Sequence, residues 1–438
     1  MEKGDRTMIN QSVASKMMAR KTHNGIIGVV VIGAGVRGSH LARQLPSSCE
    51  VVGVADPNCE RRTDMAIEYG LTASAQFASW EDFIESSLEC DAVIIATMDN
   101  QHTGPALACL RRGCHLLIEK PLSDTLEGCL EIERMQRETG LVVSVCHTLR
   151  YMDAFRRIKQ IVADGVLGRL IHIDHMEAID HLRFTHNYVR GRWAKEVNNT
   201  FLLLHKCSHD VDFIAWLADE ACFQVSSFGS LCYFTPANAP TGSNKRCLDC
   251  PLRNTCLYSA VRLYVDGDLT GRIQDIGNTH SLESRLEAIR LGPFGACVWQ
   301  ADNDVVDHQV VSMEFASGMT ATCTMSGYSA THGRRTRLQG TKGELLFDEA
   351  ADIITVKKFA EAESEKIRIP KQQSYHPEDR NIVENWTSAI RNASTESIAV
   401  NAQEALKTHA IIFAAELSRK EKRIVHLSDI YNPAYKYN

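Results

Sequence analysis

Residues 26–146 alternate short apolar segments with amphipathic ones, and this alternation limits the chain to few folds. The apolar segments are rich in Val and Ile on both faces, which is typical of strands buried on both sides of a sheet. They are residues 26–32, 50–55, 91–97, 115–119 and 141–146. The helical patterns between them are residues 57–69, 103–112 and 124–139. Strand–helix alternation predicts an α/β fold with a doubly wound parallel sheet.

The pattern changes after about residue 150. Longer alternating strands follow one another without intervening helices, which predicts a large, mostly antiparallel open sheet in a second α/β domain. These strands are residues 170–177, 223–234, 309–327 and 335–347, with helices at 154–163 and 402–418. At 438 residues the chain is too long for one ordinary domain. We predict a flexible arm (1–25), a first domain (26–150) and a second domain (151–438) with a cysteine-containing loop (235–256).

Composition excludes several classes of function. The net charge of −6 argues against nucleic-acid and anionic-membrane binding. No apolar run reaches the roughly 18 residues of a membrane span, and residues 1–25 lack the apolar stretch of a secretory signal. The fifteen cysteines are scattered and odd in number, which favours a reducing compartment over a disulfide framework. We therefore expect a cytoplasmic protein.

A glycine-rich turn connects the first strand to the first helix. Gly33, Gly35 and Gly38 form GxGxxG in the context that this motif requires, and the second strand leads into Asp56. The first glycine makes the tight turn, the second lets the backbone approach a pyrophosphate, and the third lets helix and strand pack closely. A carboxylate at Asp56 can accept hydrogen bonds from both ribose hydroxyls and repels a 2′-phosphate. The motif predicts a dinucleotide site that prefers NAD; the alternative is a glycine turn without a ligand.

Two arginines leave the choice of dinucleotide open. Arg61 and Arg62 follow Asp56 closely in the sequence. Either side chain can reach towards a phosphate, although we expect both to lie on the exposed face of the next helix. NADP is therefore not excluded.

Further motifs give the chain a family resemblance. The glycine turn, Ala96-Thr97, His102, Glu119-Lys120-Pro121 and the later Lys206 and His209 together resemble the Gfo/Idh/MocA oxidoreductases. The resemblance extends over nearly all of the chain from about residue 27. It implies a Rossmann domain and an α/β domain on a large open sheet, whose outer face often mediates dimers or tetramers. It also implies NAD or NADP and a sugar, inositol or related polyol as substrate.

The resemblance assigns roles to individual residues. It places Lys120 between the nicotinamide and the reacting hydroxyl, aimed there by a cis Lys120–Pro121 bond, and makes His209 the second catalytic group. Members of the family commonly carry Asp four residues before that histidine, whereas this chain has His205 there and Lys206 beside it. We expect His209 to act as the base, with Lys206 assisting. The expected cofactor-binding residues are Gly33, Ala34, Gly35, Val36, Arg37, Gly38, Asp56, Thr97, His102, Glu119 and Lys120.

The residue types support a site for a polyhydroxylated substrate. His205 and His209 are one helical turn apart and share a face, a spacing that can also bind zinc. Lys206 beside them, with no obvious acidic third ligand, argues against a metal. Polar and aromatic side chains suit the hydroxyls and C–H faces of a sugar. The expected substrate-binding residues are Arg150, Tyr151, His186, Tyr188, Arg190, Trp193 and His205.

One cysteine group remains outside this interpretation. Cys247, Cys250 and Cys256 form CxxC followed by a third cysteine, and a fourth ligand can come from Cys232 or a histidine. Because no second CxxC is present, we favour a loop of free thiols over a zinc site.

The family resemblance implies three possible functions. The leading hypothesis is an NAD(P)-dependent dehydrogenase or reductase acting on a CH–OH group of a sugar, inositol or polyol. The alternatives are an NAD-dependent glycosidase that works by transient oxidation, and a catalytically inactive sensor. We expect a homodimer or homotetramer formed through the open sheet.

Overall fold

The structure, a computed structural model, describes residues 25–277, 279–370 and 378–430. The chain divides into two units. The first is made of the described residues within 1–159, 211–216 and 371–413, and the second of those within 160–210, 217–370 and 414–438. Apart from Gly25, the predicted arm lies outside the described residues. The predicted boundary at residue 150 stays a prediction.

A six-stranded parallel sheet forms the first unit, in the order β3-β2-β1-β4-β5-β6. The central strand β1 pairs with β2 on one side and β4 on the other, so the strand order reverses beside β1. Ligands of open α/β sheets bind at such a reversal, beyond the carboxyl ends of the strands. The strands are β1 (Ile27–Ile32), β2 (Cys49–Ala55), β3 (Gln76–Phe77), β4 (Ala92–Ile95), β5 (His115–Ile118) and β6 (Val143–Val145).

A nine-stranded sheet forms the second unit, in the order β14-β13-β12-β11-β7-β10-β9-β8-β15. The pair β7–β10 is parallel, and every other pair is antiparallel. The two sheets together confirm the predicted fold class. The strands are β7 (Leu170–Asp180), β8 (Cys222–Ser230), β9 (His308–Phe315), β10 (Thr320–Ser329), β11 (Gly333–Gly340), β12 (Gly343–Asp348), β13 (Ile353–Lys358), β14 (Glu365–Arg368) and β15 (Val425–His426).

Helices lie between successive strands of the first sheet, whereas β9 to β14 of the second sheet follow one another without a helix. The α-helices are α1 (Val36–Arg43), α2 (Cys59–Tyr69), α3 (Trp80–Glu85), α4 (Thr103–Arg111), α5 (Leu126–Thr139), α6 (Asp153–Ala163), α7 (His181–Phe184), α8 (Leu202–Ala218), α9 (Leu282–Leu291), α10 (Glu378–Arg391), α11 (Ala402–Glu421) and α12 (Leu427–Ile430). Two π-helical turns span Thr185–Arg190 and Val261–Val265. The 3₁₀ turns are Ala73–Ala75, Asp99–Gln101, Thr148–Tyr151, Glu196–Asn198, Pro236–Asn238, Ile273–Ile276 and Pro293–Gly295. None of the helices in the described part of the chain has the length and apolar character to cross a membrane.

Two predicted strands are each a hairpin. The segment predicted as one strand over 309–327 turns at Gly318, whose φ is +82°, and Phe315 N–H donates to Met319 O at 2.9 Å. The segment predicted over 335–347 turns between β11 and β12, which pair antiparallel. Buried and exposed residues alternate on both sides of each turn. The two-residue period of the sequence therefore does not by itself reveal where the chain turns.

Candidate cofactor and catalytic site

The three glycines of the turn after β1 meet different surroundings. Gly33 has φ +94°, and a Cβ there would lie 2.6 Å from the carbonyl oxygen of Ala96, which follows β4. A Cβ on Gly38 would overlap the carbonyl oxygen of Gly33. A Cβ on Gly35 would meet no atom of the described residues within 4 Å. Packing therefore requires the first and third glycines, while the second borders open space that a pyrophosphate can occupy.

Helix α1 begins directly at this open space. Gly35 is its N-cap, and in the described structure no side chain caps the helix and no acidic residue lies in its first turn. The first backbone N–H groups of a helix have no partner within the helix, and together with its dipole they attract anions. The residues present thus fit the phosphates of a dinucleotide.

Asp56 follows β2 and is 5% exposed. Its Oδ2 accepts the N–H of Ala34 at 2.7 Å, which fixes the carboxylate against the glycine turn. Its Oδ1 accepts the N–H of Asn58 at 2.7 Å. Each carboxylate oxygen can accept a further hydrogen bond, so Asp56 keeps capacity for ribose hydroxyls. Arg62 donates to the backbone carbonyl of Asp56 at 2.5 Å.

The turn that carries Lys120 follows β5 and is held at three points. Lys120 N–H donates to Glu119 Oε2 at 3.0 Å, His102 Nδ1 lies 2.6 Å from Pro121 O, and Leu122 N–H donates to His409 Nε2 at 3.0 Å. The Lys120–Pro121 peptide is cis, as predicted. This clamp fixes the backbone from which the Lys120 side chain extends.

His409 is suited to its place in this clamp. The ring is fully buried, and its Nδ1 lies 2.6 Å from the backbone oxygen of Ala405 in the preceding turn of α11. Burial lowers the pKa of His409 to about 3. The neutral imidazole can donate from Nδ1 and accept the Leu122 N–H at Nε2, which the protonated ring cannot do. His409 is not predictable from the sequence, because only the folded chain brings it beside residue 122.

The other residues expected at the cofactor have partners of their own. Arg37 Nε donates to Glu119 Oε1 at 2.7 Å, and its two terminal nitrogens contact Asp379 at 2.6 and 2.9 Å. His102 is fully buried, with Nε2 3.4 Å from the carbonyl oxygen of Thr97. Arg37 thus ties the glycine turn to the residue before Lys120, and His102 ties the end of β4 to the cis peptide.

Arg150 and Tyr151 are both 8% exposed and are engaged within the first unit. Arg150 contacts both carboxylate oxygens of Asp212, at 2.9 and 2.8 Å, and donates to Ala399 O at 2.9 Å. Burial alone would raise the pKa of Asp212, but Arg150 makes the carboxyl a stronger acid than usual. Tyr151 donates its hydroxyl to Asn385 Oδ1 at 2.8 Å. These contacts stabilise the unit itself.

Helix α8 carries Lys206 into a buried ion-pair network. Lys206 Nζ lies 2.7 Å from a carboxylate oxygen of Glu177. The Arg334 guanidinium contacts both Glu177, at 3.1 Å, and Asp210, at 2.6 Å. Burial alone would raise the pKa of Glu177, but Arg334 and Lys206 lower it. His175 Nε2 completes the network at 3.0 Å from Asp210. Glu177 was not among the predicted site residues, and its one signal in the sequence is its place on the inward face of β7 with Ile173.

His205 and His209 lie one turn apart on α8, half-buried. The His205 ring packs on Trp193, with centroids 4.8 Å apart, and contacts Tyr188 at 6.0 Å. Its Nδ1 lies 3.3 Å from the amide nitrogen of Asn199. Three of the residues expected at the substrate are therefore grouped in the second unit.

His186 and Arg190 lie deeper in the same unit. His186 Nδ1 is 2.9 Å from the Tyr264 hydroxyl, and burial lowers the pKa of this histidine to about 4. Arg190 donates to the backbone carbonyls of Ala296 at 2.8 Å and Tyr258 at 2.7 Å. Both side chains support the segment that carries Tyr188.

The cysteines of the predicted loop share a cavity with a fourth cysteine, which is not Cys232. Cys247, Cys250 and Cys256 line one cavity together with Cys297, which the sequence reasoning did not consider. Cys232 is instead beside Asp307, with Sγ 3.5 Å from its carboxylate.

Two family models match the chain. The "NAD-binding Rossmann fold" of the Gfo/Idh/MocA oxidoreductase family matches residues 27–147, and the family's "C-terminal alpha/beta domain" matches residues 159–427. This chain belongs to the Gfo/Idh/MocA oxidoreductase family. The predicted resemblance is confirmed, and the glycine turn and Asp56 belong to the family's NAD-binding domain.

Curated relatives match over part of the chain. A 1,5-anhydro-D-fructose reductase of Ensifer adhaerens is 36% identical over 172 residues, 39% of this chain and 50% of the relative. An inositol 2-dehydrogenase of Saccharopolyspora erythraea is 28% identical over 200 residues, 44% of this chain and 54% of the relative. The chain spans about half the length of such relatives.

Solved structures share the fold. The scyllo-inositol dehydrogenase of Lactobacillus casei, crystallised with NAD(H) and scyllo-inositol, superposes with a TM-score of 0.63 at 16% identity, covering 92% of this chain and 99% of the other. An oxidoreductase of Agrobacterium radiobacter in complex with NAD⁺, L-tartaric acid and magnesium gives 0.67 at 12% identity, with coverage of 92% and 99%.

Proposed function

We propose that the protein is an NAD-dependent dehydrogenase or reductase that interconverts a secondary alcohol and a ketone of a sugar, inositol or related polyol. The observation that carries the proposal is the carboxyl edge of the parallel sheet. The open glycine turn follows β1, Asp56 follows β2 and the clamped Lys120 turn follows β5, all at this edge. A dinucleotide site and a cationic group for the substrate oxygen thus belong to one unit.

Removing a hydride from an alcohol requires that the hydroxyl also lose its proton. Bound NAD would accept or supply the hydride. We assign Lys120 to hold and polarise the substrate oxygen, and His209 to take the proton. Histidine side chains in general titrate near neutral pH, whereas lysine side chains titrate far above it. An imidazole is therefore the better general base under physiological conditions.

Lys206 and the aromatic group are assigned to substrate binding. The Lys206 ammonium has three N–H donors, and the contact with Glu177 uses one of them. The remaining donors suit substrate hydroxyls, as does the His205 ring. Trp193 and Tyr188 offer aromatic faces of the kind that pack on sugar C–H groups. Relatives named for inositol and anhydrofructose support this substrate class.

A substrate panel tests the activity. Sugars, inositols, polyols and their keto forms are each supplied with NAD or NADH. The absorbance of NADH is then followed over time. At least one polyol should produce NADH in solution. Cleavage of a glycoside without net NADH would instead indicate a glycosidase. Ligand binding without any turnover would indicate a sensor.

Paired variants test the catalytic assignment. Lys120→Ala and His209→Ala should each lower turnover by about a hundredfold or more while NAD still binds, because a group that stabilises charge on the substrate oxygen and a positioned general base each contribute on that order. Lys366→Ala on β14 and His426→Ala on β15 serve as matched controls outside the assigned site. Near-normal rates with unchanged pH profiles in both test variants would refute the assignment.

We also propose that the open face of the nine-stranded sheet joins subunits into a dimer or tetramer. Phe228 and Leu346 lie on two of its strands and are 64% and 46% exposed. Phe228→Glu should then shift the sedimentation coefficient towards that of the monomer. A cytoplasmic location is proposed because all fifteen cysteines lie in described segments and none of them forms a disulfide.

A further inference from the structure

Four cysteine side chains from separate parts of the second unit line one small cavity. The cavity has a volume of about 20 Å³, and Cys247, Cys250, Cys256 and Cys297 are among its lining residues. Such a space holds little more than one water molecule. It suits a single ion and is too small for a multinuclear cluster.

The backbone arranges two of these cysteines as a metal-binding turn. Cys250 N–H donates to Cys247 O at 3.3 Å, so the CxxC segment folds into a tight turn. CxxC is the spacing that zinc sites use to supply two thiolates from one turn. The described structure thus has the first half of such a site in place.

Cys297 is brought to this turn by a short antiparallel pairing. Arg246 pairs with Ala296, Cys247 N–H donates to Gly295 O at 2.9 Å, and Cys297 N–H donates to Lys245 O at 2.9 Å. Positions on either side of a bridged pair share one face of the pairing. Cys247 and Cys297 are therefore on the same face, although 50 residues separate them in the sequence.

Three buried donors around the cavity lack acceptors. Arg190 Nη1, Ser259 Oγ and Trp299 Nε1 have no hydrogen-bond partner among the described residues, and their residues are 3%, 1% and 5% exposed. All three residues line the cavity. Arg190 also donates through Nη2 to Cys247 Sγ at 3.5 Å. Unpaired buried donors cost free energy, and thiolates in the cavity would give them acceptors.

We propose that Cys247, Cys250, Cys256 and Cys297 bind one Zn²⁺ ion as a tetrahedral tetrathiolate. Each thiol gives up its proton on binding, so four thiolates and one Zn²⁺ carry a net charge of −2. The Arg190 guanidinium offsets part of this charge. N–H and O–H donors around the sulfur atoms satisfy their remaining lone pairs.

Binding draws the sulfur atoms together. Within the described segments, the group that brings three ligand atoms within 4.8 Å of one another is Cys232, Asp307 and His308. Among the described residues no three of the four thiols meet this distance, and zinc–sulfur bonds of about 2.3 Å would bring neighbouring sulfurs to about 3.8 Å. The Cys232 group is less suited to a metal, because Asp307 already accepts hydrogen bonds from Tyr233 N–H and the Tyr328 hydroxyl.

The proposed ion would have a structural role. Arg190 ends the π-helical turn Thr185–Arg190, which carries Tyr188 of the proposed substrate group. Zinc would hold the cysteine loop against this arginine and so stabilise the turn. The metal site itself does not depend on the proposed enzymatic activity.

Metal analysis of the full chain tests the proposal. Protein purified without an affinity tag and without chelator should contain one zinc per chain. Cys250→Ser and Cys297→Ser should each reduce bound zinc to roughly a tenth or less, because a lost ligand weakens binding by orders of magnitude. Cys59→Ser, at an exposed position on α2, is the matched control and should keep its zinc.

A second measurement decides the case if the variants fail to fold. Zinc is stripped from the wild-type chain under reducing conditions, and Co²⁺ is titrated in. One equivalent should produce the intense sulfur-to-cobalt charge-transfer and visible bands of tetrahedral thiolate coordination. Absence of both bound zinc and these bands would overturn the proposal, as would iron with inorganic sulfide or zinc that Cys297→Ser leaves in place.

Discussion

Replacing Arg150 by Met separates two roles for this arginine, one in the substrate pocket and one in the fold. The sequence suggested that Arg150 binds substrate, whereas the structure places it in a two-point ion pair with Asp212. Met keeps much of the length and apolar stem of the side chain but removes all its hydrogen bonds. The substitution therefore tests the ion pair with little change in packing.

The expected loss of stability follows from the burial of the pair. Asp212 is fully buried and Arg150 is 8% exposed, with donor–acceptor distances of 2.9 and 2.8 Å. Removing the arginine leaves a buried carboxylate without its main counter-charge, which costs about 3–5 kcal/mol. Native proteins are stable by only about 5–15 kcal/mol, so the loss should be plain in urea unfolding followed by circular dichroism.

An exposed pair of the same geometry provides the control. Arg43 contacts both oxygens of Glu68 at 2.7 and 2.8 Å, but these side chains are 56% and 35% exposed. Arg43→Met should therefore cost only about 0–1 kcal/mol.

The double variant Arg150→Met/Asp212→Asn should lose less free energy of unfolding than the two single variants together. It has no buried carboxylate left without a counter-charge. If Arg150→Met is as stable as the wild type and has a raised KM for substrate, the structural role of Arg150 is refuted. That result would support the predicted role of Arg150 in substrate binding.

Two further predictions concern the glycine turn and the buried His409. Gly38→Ala should lower the melting temperature because its Cβ would overlap a carbonyl oxygen, whereas Gly35→Ala should melt normally and weaken NAD binding by about tenfold. Calorimetry and a fluorescence titration of NAD check this, and identical behaviour of the two variants would contradict it. Burial lowers the pKa of His409 from 6.5 to about 3, so below pH 6.5 the unfolded chain takes up a proton that the folded chain does not. Stability should therefore fall as the pH falls, by about 2 kcal/mol from this residue between pH 7 and 5. Urea unfolding at both pH values measures the loss, which should shrink in His409→Gln.

Much of the first unit was predictable from the sequence because the signals are local. Each apolar strand and each amphipathic helix is visible in a short stretch of sequence. Their order along the chain specifies a doubly wound sheet. The glycine turn was predictable for the same reason, because a positive φ at Gly33 and close packing at Gly38 are properties of one short segment.

The cost of burying charge is not visible in the sequence. Arg150 looked like a polar residue available to a sugar, but its partner Asp212 lies 62 residues further along the chain. Glu177 and Arg334 are likewise paired across 157 residues, on strands that pair as neighbours only in the folded sheet. Tertiary structure decided which charged residues are compensated in the interior and which remain available to a ligand.

The sequence by itself determined the family, the order of the two sheets and the position of the nucleotide turn, since each depends on local periodicity and local conformation. Only the tertiary structure decided how the Lys120 turn is clamped by His102 and His409, and which thiol joins the CxxC turn. Those groupings depend on strand pairing and helix packing between distant segments. Such contacts form only when the whole unit buries its apolar surface, so no short stretch of sequence encodes them.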